Sequence, residues 1–210
     1  MDCLEAMRQM KDNQFDLAIC DPPFGINAGK GIGRSGRKAI ARGKHHGGDW
    51  DLGIPTDEYF EQLARVSRNQ IIWGGNYFPQ LPIYNPKAKR LDDFRALSGI
   101  VWDKGETMYG RDFSEAEIAY STVGTGWFKL SPVQAIRSHP TAKPIALYRW
   151  LIHTFAKKGD SILDTHLGSQ NSRIAAHQLG HDFEGYETDA HYFERGCLNF
   201  ELTTSQSTLF

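Results

Sequence analysis

The chain has 210 residues, 40% hydrophobic and 23% charged, with a formal net charge of -1 at pH 7. That length suits one domain with a well-buried core, and the balanced total charge implies neither a strongly basic nucleic-acid binder nor an acidic tail, so its distribution along the chain matters more. Three widely spaced cysteines, Cys3, Cys20 and Cys197, form no C-x-x-C pair, which argues against a disulfide framework or a zinc site.

Those cysteines suit a reducing cytoplasm. The start, MDCLEAMRQM, lacks a basic segment followed by an apolar core, and no apolar run approaches the ~18 residues of a membrane span, so a soluble, unsecreted protein is expected. In chain order, residues 4–10 read as a short helix, and Asp12-Asn13 turn the chain into an apolar strand at 15–20. Asp21, Pro22, Pro23 and Phe24 follow at once. Prolines donate no backbone hydrogen bond, so the sheet ladder ends there in a stiff, acidic, aromatic-tipped turn.

From Gly25 to Gly48 the character changes to eight glycines and a series of cations that includes Lys30, Arg34, Arg37, Lys38, Arg42 and Lys44, with no acidic residue. This composition predicts a long basic loop. Thr56 is placed to cap a helix over 57–67, whose Tyr59, Phe60, Leu63 and Val66 share one face. QIIWGG (70–75) is a second buried strand, and residues 79–99, with three prolines and mixed charge, read as an irregular insertion. Strands are expected at 99–103 and 117–123 from their β-branched and aromatic content. A helix at 145–157, a strand at 161–164, a helix at 171–179 and a strand at 183–187 complete an alternation that indicates an α/β layered fold with parallel strands. The whole of residues 1–210 reads as a single domain.

A strand ending in Asp164, a small-residue turn, a helix, and then Glu187 at the end of the next strand make a nucleotide-binding layout. Such a turn lets backbone amides approach a ligand, and the later acid can take both ribose hydroxyls. The full G-x-G-x-x-G is missing, so an ordinary β-α-β unit fits the pattern equally. HPTAKP (139–144) precedes this unit, with Pro144 suited to a helix start. Thr141 and Lys143 either belong to a plain loop or project a hydroxyl and a cation toward a ligand carboxylate.

Together, DPPF (21–24), QIIWGGNYF (70–78), HPTAKP (139–144), LDTHLGS (163–169) and GYETD (185–189), in this order, resemble the amino-group DNA methyltransferases. The resemblance spans nearly the whole chain and is closest to the permuted subclass, in which the catalytic motif precedes the cofactor motif, in the style of phage and prophage enzymes. It implies a Rossmann-like S-adenosylmethionine-dependent methyltransferase fold, with a mixed, mostly parallel sheet and helices on both faces. It also implies that Asp164, Thr165, His166, Gly168, Ser169 and Gln170 border the cofactor, that Glu187 takes its ribose, and that Asp2 contacts its adenine. Thr141 and Lys143 would reach its methionine end, near Asp21. Two features depart from the family. His166 and Gln170 stand where phenylalanine and a second glycine are common. A strand usually precedes the D-C-L-E segment, whereas this sequence begins at Met1-Asp2, so the sheet is one element shorter or the chain is truncated.

By the same resemblance, Asp21 and the Pro22 carbonyl accept the two hydrogens of an exocyclic amine. The nitrogen lone pair, otherwise delocalised into the ring, is thereby freed for in-line attack on a sulfonium methyl, and Pro23 stiffens the turn. Phe24 would stack on a base flipped out of double-stranded DNA. The basic loop would neutralise phosphates, and insertion 79–99 is a candidate target-recognition region. Aspartate before the prolines leans toward adenine-N6. Cytosine-N4 is the rival, and a degenerate methyltransferase that only binds DNA is a third reading. A nicotinamide oxidoreductase would fit the Asp164 turn but leaves DPPF unexplained. The subclass is often dimeric, so a second copy is a candidate partner. Residues 203–210 form a tail whose Gln206, Leu209 and Phe210 resemble the Q-x-x-L-F peptide that docks on the bacterial sliding clamp; an end that packs on its own domain fits as well.

Overall fold

The apolar run ahead of the two prolines is strand β1 (Leu17–Cys20), buried along its whole length. A strand covered on both faces must be apolar throughout, and alternate side chains then serve opposite layers. Ala18 and Cys20 pack with Met7 of helix α1 (Cys3–Gln9) and with Phe60, Leu63 and Val66 of α2 (Asp57–Val66). Leu17 and Ile19 pack with Leu147, Leu151 and Ile152 of α3 (Ile145–Phe155) and with Ala175 and Ala176 of α4 (Asn171–Leu179). The computed structural model describes residues 1–26, 51–82, 98–105, 114–124, 126–130 and 142–205.

The remaining strands are β2 (Gln70–Trp73), β3 (Ser98–Asp103), β4 (Ala116–Ser121), β5 (Gly126–Leu130), β6 (Ile162–Asp164) and β7 (Phe183–Gly185). They form one seven-stranded sheet in the order β5-β3-β4-β2-β1-β6-β7. Pairing is parallel except where β4 runs antiparallel to both β2 and β3. The mixed, mostly parallel sheet with helices on both faces is therefore as expected. The strands expected at 99–103 and 117–123 are β3 and β4, and they pair antiparallel with each other rather than in parallel.

Helix ends obey local chemistry. Asp2 caps α1 by accepting from the Leu4 and Glu5 amides, and Thr56 caps α2 by accepting from the Tyr59 amide. Pro144 stands at the N-cap of α3, one residue outside the helix it was expected to open. Three elements carried no expectation: a 3-10 turn at Gly75–Tyr77, β5, which is a short, half-exposed edge strand, and α5 (Ala190–Ser205), which extends through the polar residues 203–205 assigned to the tail. Gln206, Leu209 and Phe210 lie outside the described residues, as do basic loop positions 27–50 and most of insertion 79–99, of which residues 98 and 99 open β3. No helix among the described residues is long and apolar enough to cross a membrane.

Candidate active site

Parallel strands deliver their carboxyl ends to one edge of the sheet, where ligands of open α/β sheets bind. At that edge stand the DPPF turn after β1, Gly74 to Tyr77 after β2, Lys104 after β3, the loop after β6 and Glu187 after β7. Because β4 is reversed, it brings its first residues to the same edge: Trp73, the last of β2, is opposite Ala119, and Asp103, the last of β3, is opposite Ala116. Glu117 thus joins a site assembled otherwise from strand ends.

Four charged side chains connect there. Lys143 Nζ lies 2.6 Å from Asp21 Oδ1 and 3.0 Å from Glu117 Oε2, and Lys104 Nζ lies 2.7 Å from Glu117 Oε1. Lys143 is only 3% exposed, so its ammonium depends on these carboxylates for the solvation that water would supply. Burial opposes its charge, yet Asp21 and Glu117 outweigh burial and hold its pKa above the ordinary lysine value. Burial also pushes Asp21 up, opposed by Lys143 and reinforced by Glu117. At Glu117 the balance is reversed: burial would raise the carboxyl, but Lys143 and Lys104 hold it at about 2. Lys143 was expected at a ligand carboxylate. Its ammonium stands between two carboxylates of the chain itself, one of them in the DPPF turn.

Phe24 lies parallel to Tyr77, with ring centroids 5.0 Å apart, and meets Phe78 edge-on at 6.1 Å. Tyr77 keeps 39% of its surface exposed, so the pair presents an aromatic shelf beside Asp21. The backbone after Phe24 is tied down by Asp51, a buried carboxylate that accepts the Gly25 amide at 2.8 Å. This bond links the two ends of the basic segment and fixes where it departs. Cys20, directly before Asp21, is pushed up to about 12 by burial and is a packing residue rather than a nucleophile.

Around the β6 loop, the predicted cofactor residues separate into two groups. Asp164 is buried, accepting from Ser172 Oγ at 2.5 Å and the His166 amide at 3.0 Å. Thr165 is buried against Tyr59, and their hydroxyls lie 2.7 Å apart. Both shape the loop from beneath. Gln170 is fully buried and donates to the Phe193 carbonyl of α5 at 3.0 Å, so its side chain faces away from the cleft where a second glycine was the family expectation. In contrast, His166, Gly168, Ser169 and Glu187 are all partly exposed. Glu187 accepts the Gly168 amide at 2.9 Å and the Asp189 amide at 2.9 Å. The Met1 ammonium reaches the Glu187 carbonyl at 3.4 Å, which brings Asp2 to the same place. Burial holds His166 down at about 4, partly countered by Asp2, so its ring is neutral at physiological pH. Thr141 and the DNA-binding candidates Lys30, Arg34, Arg37, Lys38, Arg42 and Lys44 lie outside the described residues.

The model of the N6/N4 DNA methylases matches residues 92–197, just over half of the chain. The chain belongs to this family. Among curated relatives, the type II methyltransferase M2.DpnII of Streptococcus pneumoniae is 24% identical over 233 aligned positions that cover 92% of this chain and 85% of the relative. Among solved structures, the M1.HpyAVI complex with S-adenosylmethionine superposes with a TM-score of 0.58 at 16% identity, covering 95% of this chain and 96% of the other. PvuII DNA methyltransferase, described as cytosine-N4-specific, gives 0.57 at 14%, covering 95% and 84%. At such identities the superpositions establish the fold. The family acts on DNA amino groups with S-adenosylmethionine as methyl donor.

The cleft of this N6/N4 methylase suits that donor on its own chemistry. Two acceptor-only carboxylates, Asp2 and Glu187, flank a loop in which Gly168 has a φ of +47° and open space where a Cβ would stand. Backbone can approach a ligand closely there. Glu117, Tyr77 and Asp51 had no assigned role in the sequence. The signals were present for two of them: an acid near the start of an apolar strand, and a tyrosine inside the quoted QIIWGGNYF.

Proposed function

We propose that this enzyme methylates the N6 amino group of adenine in double-stranded DNA, with Asp21 and the Pro22 carbonyl as the two acceptors of the amine hydrogens. The observation that carries the acceptor assignment is the Lys143–Asp21 ion pair at the carboxyl edge of β1, and the choice of adenine rests on aspartate standing before the two prolines. It supports an Asp21 that is ionised despite burial, and an ionised carboxylate only accepts hydrogen bonds. An amine nitrogen whose hydrogens are both held is drawn toward tetrahedral geometry with its lone pair exposed. The two prolines fix the acceptors, which reduces the reorganisation the reaction requires.

Phe24 and Tyr77 supply a stacking surface for a base that has left the duplex. S-adenosylmethionine, when bound, supplies an electrophilic methyl group on a sulfonium centre. Glu187, Asp2, His166, Gly168 and Ser169 are the residues that would hold it, Glu187 at the ribose and Asp2 at the adenine. Asp164 and Thr165 keep the loop in shape. Lysines and arginines 30–44 supply phosphate contacts, and residues 79–99 supply part of target choice.

The test is transfer of a tritiated methyl group from S-adenosylmethionine to unmethylated DNA, with nucleoside analysis of the product. N6-methyladenine is expected. N4-methylcytosine would keep the mechanism and overturn the base assignment. A folded chain that binds DNA and the cofactor but transfers nothing would overturn the catalytic reading itself.

A further inference from the structure

We propose that Glu117 is a positioning residue for methyl transfer: backed by Lys104, it divides the Lys143 ammonium between two carboxylates and so leaves Asp21 with capacity to accept the substrate amine. This rests on the reading of Asp21 as the amine acceptor. A buried ammonium has three donors, and a single carboxylate facing it would use its lone pairs to satisfy them. Here Nζ stands between Asp21 Oδ1 at 2.6 Å and Glu117 Oε2 at 3.0 Å, so one cation serves two anions. Lys104, at 2.7 Å from the other Glu117 oxygen, sets how strongly Glu117 competes for it.

The fold explains the placement. Glu117 is opposite Trp102 in the β3–β4 ladder, two residues before Lys104, and it reaches the carboxyl edge only because β4 runs against its neighbours. The indole of Trp73 lies under Lys143, with Nζ 5.2 Å from its centroid, and Phe24 lies at 5.7 Å, so aromatic walls limit the ammonium's movement. The groups that face this quartet are few among the described residues. Tyr77 and Tyr148 sense Glu117, but burial raises both phenols and they stay neutral. Asp164 senses Asp21 from the next strand, and it belongs to the cofactor loop.

Two substitutions separate this from a merely structural ion cluster. Glu117→Gln removes a negative neighbour and gives Lys143 to Asp21 alone, so the Asp21 carboxyl titrates at lower pH. Lys104→Met frees Glu117 to draw Lys143 away, so Asp21 titrates at higher pH. Shifts of about half a pH unit or more in opposite directions are expected. They are read directly from the 13C carboxyl resonance of Asp21, assigned with Asp21→Asn, and from the acid limb of kcat at saturating DNA and cofactor. Glu117→Gln also lowers kcat about tenfold through an over-engaged Asp21, while cofactor Kd stays within about twofold. Resonances that do not move, or that move the same way in both variants, overturn the proposal, as does an acid limb that fails to follow them. If Glu117→Gln does not fold, Lys104→Met, at the partly exposed outer end, decides the sign. A wild-type chain that transfers no methyl group overturns the reading of the site, while the carboxyl titrations still test the network.

Discussion

A Cβ on Gly74 would stand 2.2 Å from Cε1 and 2.5 Å from Cδ1 of Phe24, so the aromatic tip of the DPPF turn rests against a backbone position that admits it only as glycine. Gly74 also has a φ of +67°, which L side chains rarely adopt. Both constraints act on the turn that follows β2, immediately beside the DPPF turn. Gly74→Ala therefore strains the backbone and displaces Phe24 toward Tyr77. The expected cost is about 1–3 kcal/mol of stability, together with a loss of methyl transfer that exceeds any loss of cofactor affinity. Thermal melting and single-turnover transfer check it. Wild-type melting and rate in the variant would show that Phe24 has no fixed position.

The turn after β1 and the cap of α2 were legible because their signals are local. Two prolines after an apolar run can only end a strand, and Thr56 three residues ahead of Tyr59 caps a helix wherever it occurs. Glu117 escaped because its meaning depends on strand direction, and direction depends on pairing between β4 and β2 that no local pattern encodes. Lys143 was read as a ligand-binding cation for the same reason: HPTAKP announces a functional lysine but does not say which carboxylate lies nearest. Gln170 is a comparable case. Its place in the loop suggested contact with the cofactor, and its side chain was claimed by α5, a helix whose weak periodicity gave no warning.

Asp164 makes stability depend on pH. Burial, opposed by Ser172 and the His166 amide, raises its carboxyl from 3.8 to about 7. A raised acid binds its proton more tightly in the folded state, so its stabilising contribution is complete below about pH 3.8 and is lost as pH rises through about 7. Asp164→Asn, neutral at every pH, lacks this dependence. In melting curves of the cofactor-free protein, the variant is expected to gain on the wild type as pH rises from 5 to 8. A constant difference across that range would show that Asp164 is ionised in the folded protein throughout.

Helix α5 is set against the loop after β6 by one close approach. A Cβ on Gly196 would stand 2.4 Å from Gln170 Cγ, and Gln170 itself has a φ of +59°. Gly196→Ala is expected to overpack this contact and lower stability by about 1–3 kcal/mol. Gln170→Gly removes the obstructing side chain and relaxes the left-handed backbone, at the cost of the bond to the Phe193 carbonyl. The two changes are therefore non-additive: the double variant should be more stable than the sum of the single losses allows. Additive losses in denaturant melts would mean that Gln170 leaves the contact when Gly196 is changed.

The Gly25–Asp51 bond ties together the residues that flank the basic segment, and the contribution of that segment's cations to DNA binding is measurable through salt. Each phosphate neutralised by a cation contributes a slope of about -0.9 to the dependence of log affinity on log salt. If Arg34, Arg37 and Arg42 each meet a phosphate, reversing all three to glutamate makes that slope shallower by about 3 and weakens binding at low salt by well over tenfold. The loss should be nearly the same for specific and nonspecific duplexes, because phosphate contacts carry no base information. Binding titrations by fluorescence anisotropy at several salt concentrations read both quantities. An unchanged slope would place the DNA against another surface, and a loss confined to the specific duplex would make these arginines base readers instead.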